Sequence, residues 1–143
     1  MNRFSLAAAL LLSVAAGCAT ADGLSDCQGA LARMGAQVER LGGTLAAVGP
    51  VRPQGRLGDA EYASLSERIG SQIDTIQADE AVIRLIGPAA SLLLSDTRDG
   101  LILMRTASHP AARHVGLLKV ARDIELLTAA SARLSCPPAR KNL

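Results

Sequence analysis

Only a few residues of this chain have types and spacings that could do chemistry. His109 and His114 are its two histidines, and they lie five residues apart, whereas metal ligands on one helical face lie four apart. We expect His109 at the entrance to a helix, before Pro110, and His114 on an early exposed turn of that helix. The carboxylates Asp74 and Asp79 have the same separation and do not converge on one face. The sequence contains no G-x-S-x-G, H-E-x-x-H or G-x-x-x-x-G-K motif. We therefore expect no enzyme, no metal site and no cofactor.

The strongest polar candidate is Glu80, which lies where the apolar seam of a predicted helix expects a hydrophobic side chain. A buried carboxylate without a partner is costly, so Glu80 would need a hydrogen-bonding partner there. Thr97 and Ser131 lie near its level in the predicted bundle, and the three residues could form a polar pocket. Alternatively, the seam drifts toward Val82, and Glu80 faces water beside Arg84 as an ordinary i,i+4 pair.

The N-terminal segment has the layout of a secretory signal peptide. A positive charge at Arg3 precedes an uninterrupted run of apolar and small residues at 6–17, and no acidic residue occurs before Asp22. These twelve residues are too few for a helix that spans about 30 Å of hydrocarbon, which needs about 20 residues. We therefore expect residues 1–17 to be removed rather than retained as a membrane helix.

Two cleavage sites overlap at the end of this segment. Residues 14–18, Val-Ala-Ala-Gly-Cys, resemble the lipobox of bacterial lipoprotein precursors, with Ala15 where Leu is usual. The resemblance implies acylation of Cys18 and a lipid anchor in the membrane. Ala19 next to that cysteine, rather than Asp, resembles the pattern of lipoproteins sorted to the outer membrane, facing the periplasm. The alternative is cleavage after Ala21 at an A-x-A site, which would release a soluble periplasmic chain.

The other two cysteines, Cys27 and Cys136, form an even pair under either processing route. In an oxidising compartment they would form one disulfide, and closing a loop of about 100 residues contributes about 4 to 5 kcal/mol in the chain-entropy model. Two unpaired buried thiols are the alternative. No C-x-x-C is present, so the spacing favours neither a thioredoxin-like redox motif nor a zinc site.

Apolar residues recur at alternating steps of three and four along most of the remaining chain, which predicts four helices. The first is expected to end at Gly49 and Pro50, the second to start at Asp59, and Gly87 with Pro88 to separate the second from the third. The predicted seams, in chain order, are Leu24, Cys27, Leu31, Met34, Val38, Leu41, Leu45 and Val48; Tyr62, Leu65, Ile69, Ile73, Ile76, Ile83 and Ile86; Ala90, Leu93, Thr97, Gly100, Met104 and Ala107; and Leu117, Val120, Ile124, Leu127, Ser131 and Leu134.

These seams predict an all-α protein, because no β-branched run alternates with polar residues. We expect a four-helix up-down-up-down bundle over residues 24–136. A signal peptide at 1–17 and a short tether at 18–23 would precede it, and a disordered tail at 137–143 would follow. In such a bundle the start of the first helix and the end of the fourth lie together, which is where the predicted disulfide falls. The two inferences come from different features and agree.

The amino-acid composition argues against a nucleic-acid-binding function. One Tyr, one Phe and no Trp leave few stacking platforms for nucleic acids, and 15 Lys+Arg against 13 Asp+Glu give a formal charge of only +2. No nucleic-acid partner is expected. We expect an envelope lipoprotein acting as a structural or protein-interaction module, similar in outline to the helical pilotins of secretion systems. The alternative is a binding protein for a small apolar ligand, because Thr97, Gly100, Ala107 and Ser131 are small for seam positions.

Overall fold

Four helices account for most of the residues that the structure describes. The computed structural model describes residues 21–52 and 54–138. The helices are α1 at Ala21–Ala46, α2 at Asp59–Ala78, α3 at Glu80–Thr106 and α4 at Pro110–Ser131. No strand occurs in the two described ranges, so the all-helical prediction is confirmed for them. The predicted signal peptide, the lipobox-like segment with Cys18, and residues 139–143 of the predicted tail lie outside these ranges.

One apolar core lies between the helices and consists almost entirely of aliphatic side chains. Tyr62 is the one aromatic residue in it, and it is fully buried. The three- and four-residue spacing predicted most of these positions, because that spacing places side chains on one face of a helix. The buried apolar residues are Ala30, Met34, Val38, Leu41, Tyr62, Leu65, Ile69, Ile73, Ile76, Val82, Ile86, Ala90, Leu94, Leu101, Met104, Leu117, Val120, Ile124 and Leu127.

The boundary between α2 and α3 falls earlier than the sequence predicts. Helix α2 ends at Ala78, and Asp79 has an extended backbone. The Asp79 carboxylate accepts a hydrogen bond from the Val82 N–H at 3.1 Å, which caps the first turn of α3. It also accepts a hydrogen bond from Arg33 of α1, with 2.6 Å between Nε and Oδ2. The break between α2 and α3 is therefore stabilised by a helix cap and by an ion pair with α1. The spacing of apolar residues predicts neither of these interactions.

The predicted break at Gly87 and Pro88 is a kink inside α3 rather than a helix end. Gly87 has φ 71° and ψ −178°, a conformation that L side chains rarely adopt. Helical backbone resumes at Pro88, whose missing N–H costs little in the first turn of a helix. The sequence therefore predicted where the helical path is interrupted, and the structure adds a second interruption at Asp79.

Two polar contacts join α1 to α2 and to the residue that follows it. Besides the Arg33–Asp79 pair, the Gln72 amide donates a hydrogen bond to the Thr44 hydroxyl, with 2.8 Å between Nε2 and Oγ1. Thr44, the later of the two α1 residues, thus contacts Gln72, the earlier of their two partners. The α1 seam that includes Met34 is packed into the core between these two contacts.

Candidate functional site

A buried hydrogen-bonded cluster centred on His114 joins the loop 47–58 to α2 and α4. His114 is 3% exposed, and its Nε2 lies 2.6 Å from the carbonyl oxygen of Arg52. A carbonyl can only accept, so Nε2 carries the proton. Nδ1 and the Tyr62 hydroxyl are hydrogen-bonded at 3.0 Å, and the same hydroxyl oxygen accepts from the Leu57 N–H at 3.2 Å. Each polar side-chain atom of the cluster therefore has a hydrogen-bonding partner inside the protein.

The cluster corrects the sequence expectation that His114 lies on an exposed turn. Its partners are a buried hydroxyl and a backbone carbonyl, so its role is to hold the loop against the helices. His109 is placed as expected, at the entrance to α4 before Pro110, where its Nδ1 accepts a hydrogen bond from the Ala111 N–H at 3.1 Å. Within residues 21–52 and 54–138, no group of three or more His, Cys, Asp or Glu side chains could hold a metal ion.

The three residues of the predicted polar pocket have separate environments. Glu80 is exposed and forms an i,i+4 ion pair with Arg84, with 3.8 Å between Oε2 and Nη1. Thr97 is buried and donates its hydroxyl to a carbonyl one turn earlier in α3 at 2.7 Å, while Ser131 is half-buried at the last turn of α4. Of the two positions that the sequence left open for Glu80, the structure has the exposed one, because Val82, which is 1% exposed, takes the core position. The drift of the seam toward Val82 is what the structure contains.

Cys27 and Cys136 form the predicted disulfide. Their Cα atoms lie 5.9 Å apart although the residues are separated by 109 positions in sequence. The bond joins the beginning of α1 to the segment that follows α4. It therefore closes nearly the whole described chain into one loop, which restricts the unfolded chain far more than the folded one.

A very close contact between α3 and α4 occurs at Gly100 and Gly116. A Cβ atom built on Gly116 would lie 2.6 Å from the Gly100 carbonyl oxygen and 2.9 Å from the Leu103 Cβ. One built on Gly100 would lie 2.8 Å from the Val120 Cγ2. Both positions therefore require glycine, because the backbones approach too closely for a side chain. At this level the small seam residues bring the helices together and leave no room for a ligand between them.

Two stripes of largely exposed residues run along α3 and α4 beside this contact. Each stripe has steps of four, three and four residues, so its members share one side of their helix. Two acids stand between two leucines on α3, and two cations stand between a valine and a leucine on α4. We call these eight residues the outer face: Leu92, Asp96, Asp99 and Leu103 of α3, and Val115, Lys119, Arg122 and Leu126 of α4.

The charged middle of the outer face is tied together by Lys119. Its Nζ lies 3.0 Å from the Asp96 carboxylate and 3.4 Å from that of Asp123, which is buried. The hydrogen bond with Asp96 is the main cause that raises the pKa of Lys119, and it outweighs the lowering effect of burial. Arg122 has only a long ion pair of 3.5 Å with a neighbour on its own helix, and Asp99 has no ion pair with a described residue.

The two stripes lie side by side in opposite order. Leu103 lies beside Gly116 and therefore beside Val115, and the Asp96–Lys119 pair lies one to two turns further along both helices. Leu92 is eleven residues from Leu103, and Leu126 is eleven from Val115, so these two lie at one level at the other end. Sequence reasoning followed the buried seams and missed this face. The signal that could have found it was the same four-three-four spacing among residues left outside the seams.

An open cleft of about 360 Å³ lies between α2 and α3. Arg98 lines it and binds the Asp74 carboxylate and, at 2.9 Å between its Nε and Oε1, the Gln77 side chain of α2. Arg105 and Glu67 complete the charged part of the lining. The cleft contains two cations and two acids, so it has no net charge that would select an ionic ligand.

The fold and the site define a disulfide-closed helical bundle with an aliphatic core and one exposed, patterned face on α3 and α4. No protein-family model, curated protein or solved structure matches the chain. In the part of the chain that the structure describes, no helix is both long enough and apolar enough to cross a membrane.

Proposed function

We propose that this protein is a small envelope lipoprotein that is anchored through Cys18 at the periplasmic face of the outer membrane and acts by contact with other proteins. The disulfide between Cys27 and Cys136 is the observation that supports this best, because such bonds persist in oxidising compartments. The apolar run at 6–17 and the lipobox-like residues 14–18 support export and anchoring. The soluble periplasmic chain remains the alternative.

We also infer that the four helices run alternately up and down. The order of the contacts supports this, since a later residue of α1 meets an earlier residue of α2, and α3 and α4 pair in the same reversed manner. The ion pair between Asp59 and Arg113, at 2.7 Å, places the start of α2 near the start of α4, and these two helices are parallel in such a bundle.

The outer face is the surface that supports an interaction role. Leu92 is 71% exposed and Val115 is 55% exposed. Both belong to the regular stripes of the outer face and are not isolated apolar residues on the surface. Exposed apolar side chains that are grouped on one face, rather than scattered singly, mark protein contact surfaces. The alternative of an apolar ligand between the helices has less support, because the contact at Gly100 and Gly116 closes the space where small seam residues would have left room.

The anchor is tested by the mass of the protein purified from membranes of cells that express it with its own N-terminal segment. We expect a mature chain that begins at an acylated Cys18. The variant Cys18→Ser should lose the lipid mass and leave the membrane fraction. A mature chain that begins at Asp22 in the wild type would contradict the anchor and support the soluble alternative.

The interaction role is tested by a photo-reactive amino acid placed at Leu92 or Val115 in living cells. We expect cross-linked adducts of defined mass from these positions. The matched control is Ser64, an exposed position on α2 in a groove that no outer-face residue lines, which should give none. The absence of adducts from both outer-face positions, with normal amounts of folded protein, would contradict the role.

A further inference from the structure

The outer face carries a pattern that is complementary to itself. The acids Asp96 and Asp99 belong to α3, and the cations Lys119 and Arg122 belong to α4. Apolar residues end both stripes, and the stripes lie side by side in opposite order. A surface with acids along one helix and cations along its neighbour can meet a copy of itself if each helix lies over the other kind.

We propose that the outer face binds a second copy of this chain in a symmetric dimer. A two-fold axis parallel to the helices and between them places α3 of each copy over α4 of the other, with no shift along the helices. In this arrangement Asp99 meets Lys119 of the second copy, and Asp96 meets Arg122. The apolar ends also match, since Leu92 then lies over Leu126 and Leu103 lies over Val115.

A two-fold arrangement with the axis perpendicular to the helices is disfavoured by charge. An axis across the helices would place α3 over α3, so that Asp96 and Asp99 of one copy faced the same acids of the other, and Lys119 faced cations. Like charges that face each other across an interface are unfavourable. Within one chain, Arg122 has only a long ion pair, and Asp99 has none with a described residue. These two side chains would therefore gain the most favourable new contacts when α3 of one copy lies over α4 of the other.

The size of the outer face predicts a weak dimer. The stretch from Leu92 to Leu103 is about 17 Å long at about 1.5 Å per residue, and two adjacent helices are about 20 Å wide. With the side chains at both ends, each copy would bury about 500 Å², so the dimer would bury about 1,000 Å², near the lower limit for a specific interface. We therefore expect a dissociation constant of about 10 to 100 μM that rises with salt.

This inference rests on the proposed function in one respect, because it names the partner that the outer face contacts. The experiment uses the full chain carrying Cys18→Ser, exported so that the native disulfide forms, in sedimentation velocity over about 5 to 500 μM protein. We expect monomer at the low end, dimer at the high end, and less dimer in high salt. A monomer at all concentrations would overturn the dimer and leave the proposed function standing, since a different protein could still give the photo-cross-links.

A charge variant tests which face is used. Asp99→Arg puts a cation opposite Lys119 of the second copy and should raise the dissociation constant at least tenfold. Arg68→Glu reverses one exposed charge on α2, in a groove that no outer-face residue lines, and should leave the constant unchanged. Both substituted positions are exposed, so both variants should retain the circular dichroism of the wild type. Equal dissociation constants for the two variants would overturn the assignment of the outer face.

A mixed cross-link tests the register of the dimer. One chain carries Leu103→Cys and the other Val115→Cys, and a short thiol-reactive cross-linker is added to each alone and to the mixture. The proposed arrangement predicts cross-linked pairs mainly in the mixture, because Leu103 of one copy lies over Val115 of the other. Equal yields in the mixture and in the separate samples would overturn this arrangement.

Discussion

Replacing glycine by alanine where α3 and α4 touch should destabilise the fold, although alanine favours a helix. In Gly116→Ala the new Cβ would lie 2.6 Å from the Gly100 carbonyl oxygen and 3.0 Å from the Met104 backbone nitrogen. Both atoms belong to the backbone, so no side chain can rotate away and the helices must separate. Overpacking of this kind costs about 1 to 3 kcal/mol or more, and the helix propensity of alanine offsets about 1 kcal/mol of it. Because the clash is with backbone atoms, the cost lies at the upper end of this range, about 3 kcal/mol, and we expect a net loss of about 2 kcal/mol in the free energy of unfolding.

The matched control is Gly35→Ala, which makes the same chemical change inside α1. A Cβ atom at Gly35 would meet nothing within 4 Å, and the residue is exposed. Only the backbone entropy and the helix propensity change there, so this variant should gain about 0.5 to 1 kcal/mol. The two substitutions should therefore move stability in opposite directions.

The assay is urea unfolding followed by circular dichroism, with the disulfide intact and the slope of the transition compared between variants. A loss of about 2 kcal/mol corresponds to a decrease of about 8 °C in Tm for a domain of this size. If Gly116→Ala were as stable as Gly35→Ala, the backbones of α3 and α4 could not be in contact at Gly100. That result would also remove the register on which the outer face depends.

Three further predictions follow from contacts in the core and at the ends of the helices. Replacing Cys27 and Cys136 by serine should lower the unfolding free energy by about 4 to 5 kcal/mol in the chain-entropy model, measured in urea, and an unchanged midpoint would contradict it. Tyr62→Phe removes the hydroxyl between the buried imidazole and the loop, and should cost about 1 to 3 kcal/mol in the same assay, with faster amide exchange in the loop. The hydrogen bond from Arg33 lowers the pKa of Asp79, so its stabilisation is present at neutral pH and is lost as the pH falls through the lowered pKa. Arg33→Ala should therefore reduce stability at neutral pH more than in acid, and an equal loss at both would contradict the pair.

Much of the fold could be predicted from the sequence because the helices bury one regular face. The seams of α1 and α4 led directly to core residues such as Met34, Leu41 and Val120. The cysteine pair could be predicted because only two cysteines keep a thiol after either processing route, and because both fall at one end of a bundle. These inferences depend on the spacing of apolar residues within each segment and on the number of cysteines. Both can be read from the sequence without knowing the tertiary structure.

The polar sites were harder to predict, because a polar residue has no preferred side of a helix until its partners are known. His114 was expected on an exposed turn, yet it is buried against a carbonyl of a distant loop and against Tyr62. For Glu80 the sequence left two positions open, in the core or facing water beside Arg84, and the structure has the second, because Asp79 ends α2 first and shifts the seam of α3 to Val82. The hydrogen-bonding partners of His114 are distant in sequence. The position of Glu80 is set by the cap at Asp79, which the spacing of apolar residues does not predict.

The sequence by itself determined that this protein is all-helical, that its core is aliphatic, and that Cys27 and Cys136 would meet. It did so because side-chain hydrophobicity and helical periodicity act on each segment separately. Only the tertiary structure decided that Gly100 and Gly116 lie in contact. That contact sets the register of α3 against α4, and with it the acids and cations of the outer face come to lie side by side. Such a surface is a property of two helices together, so neither segment specifies it alone.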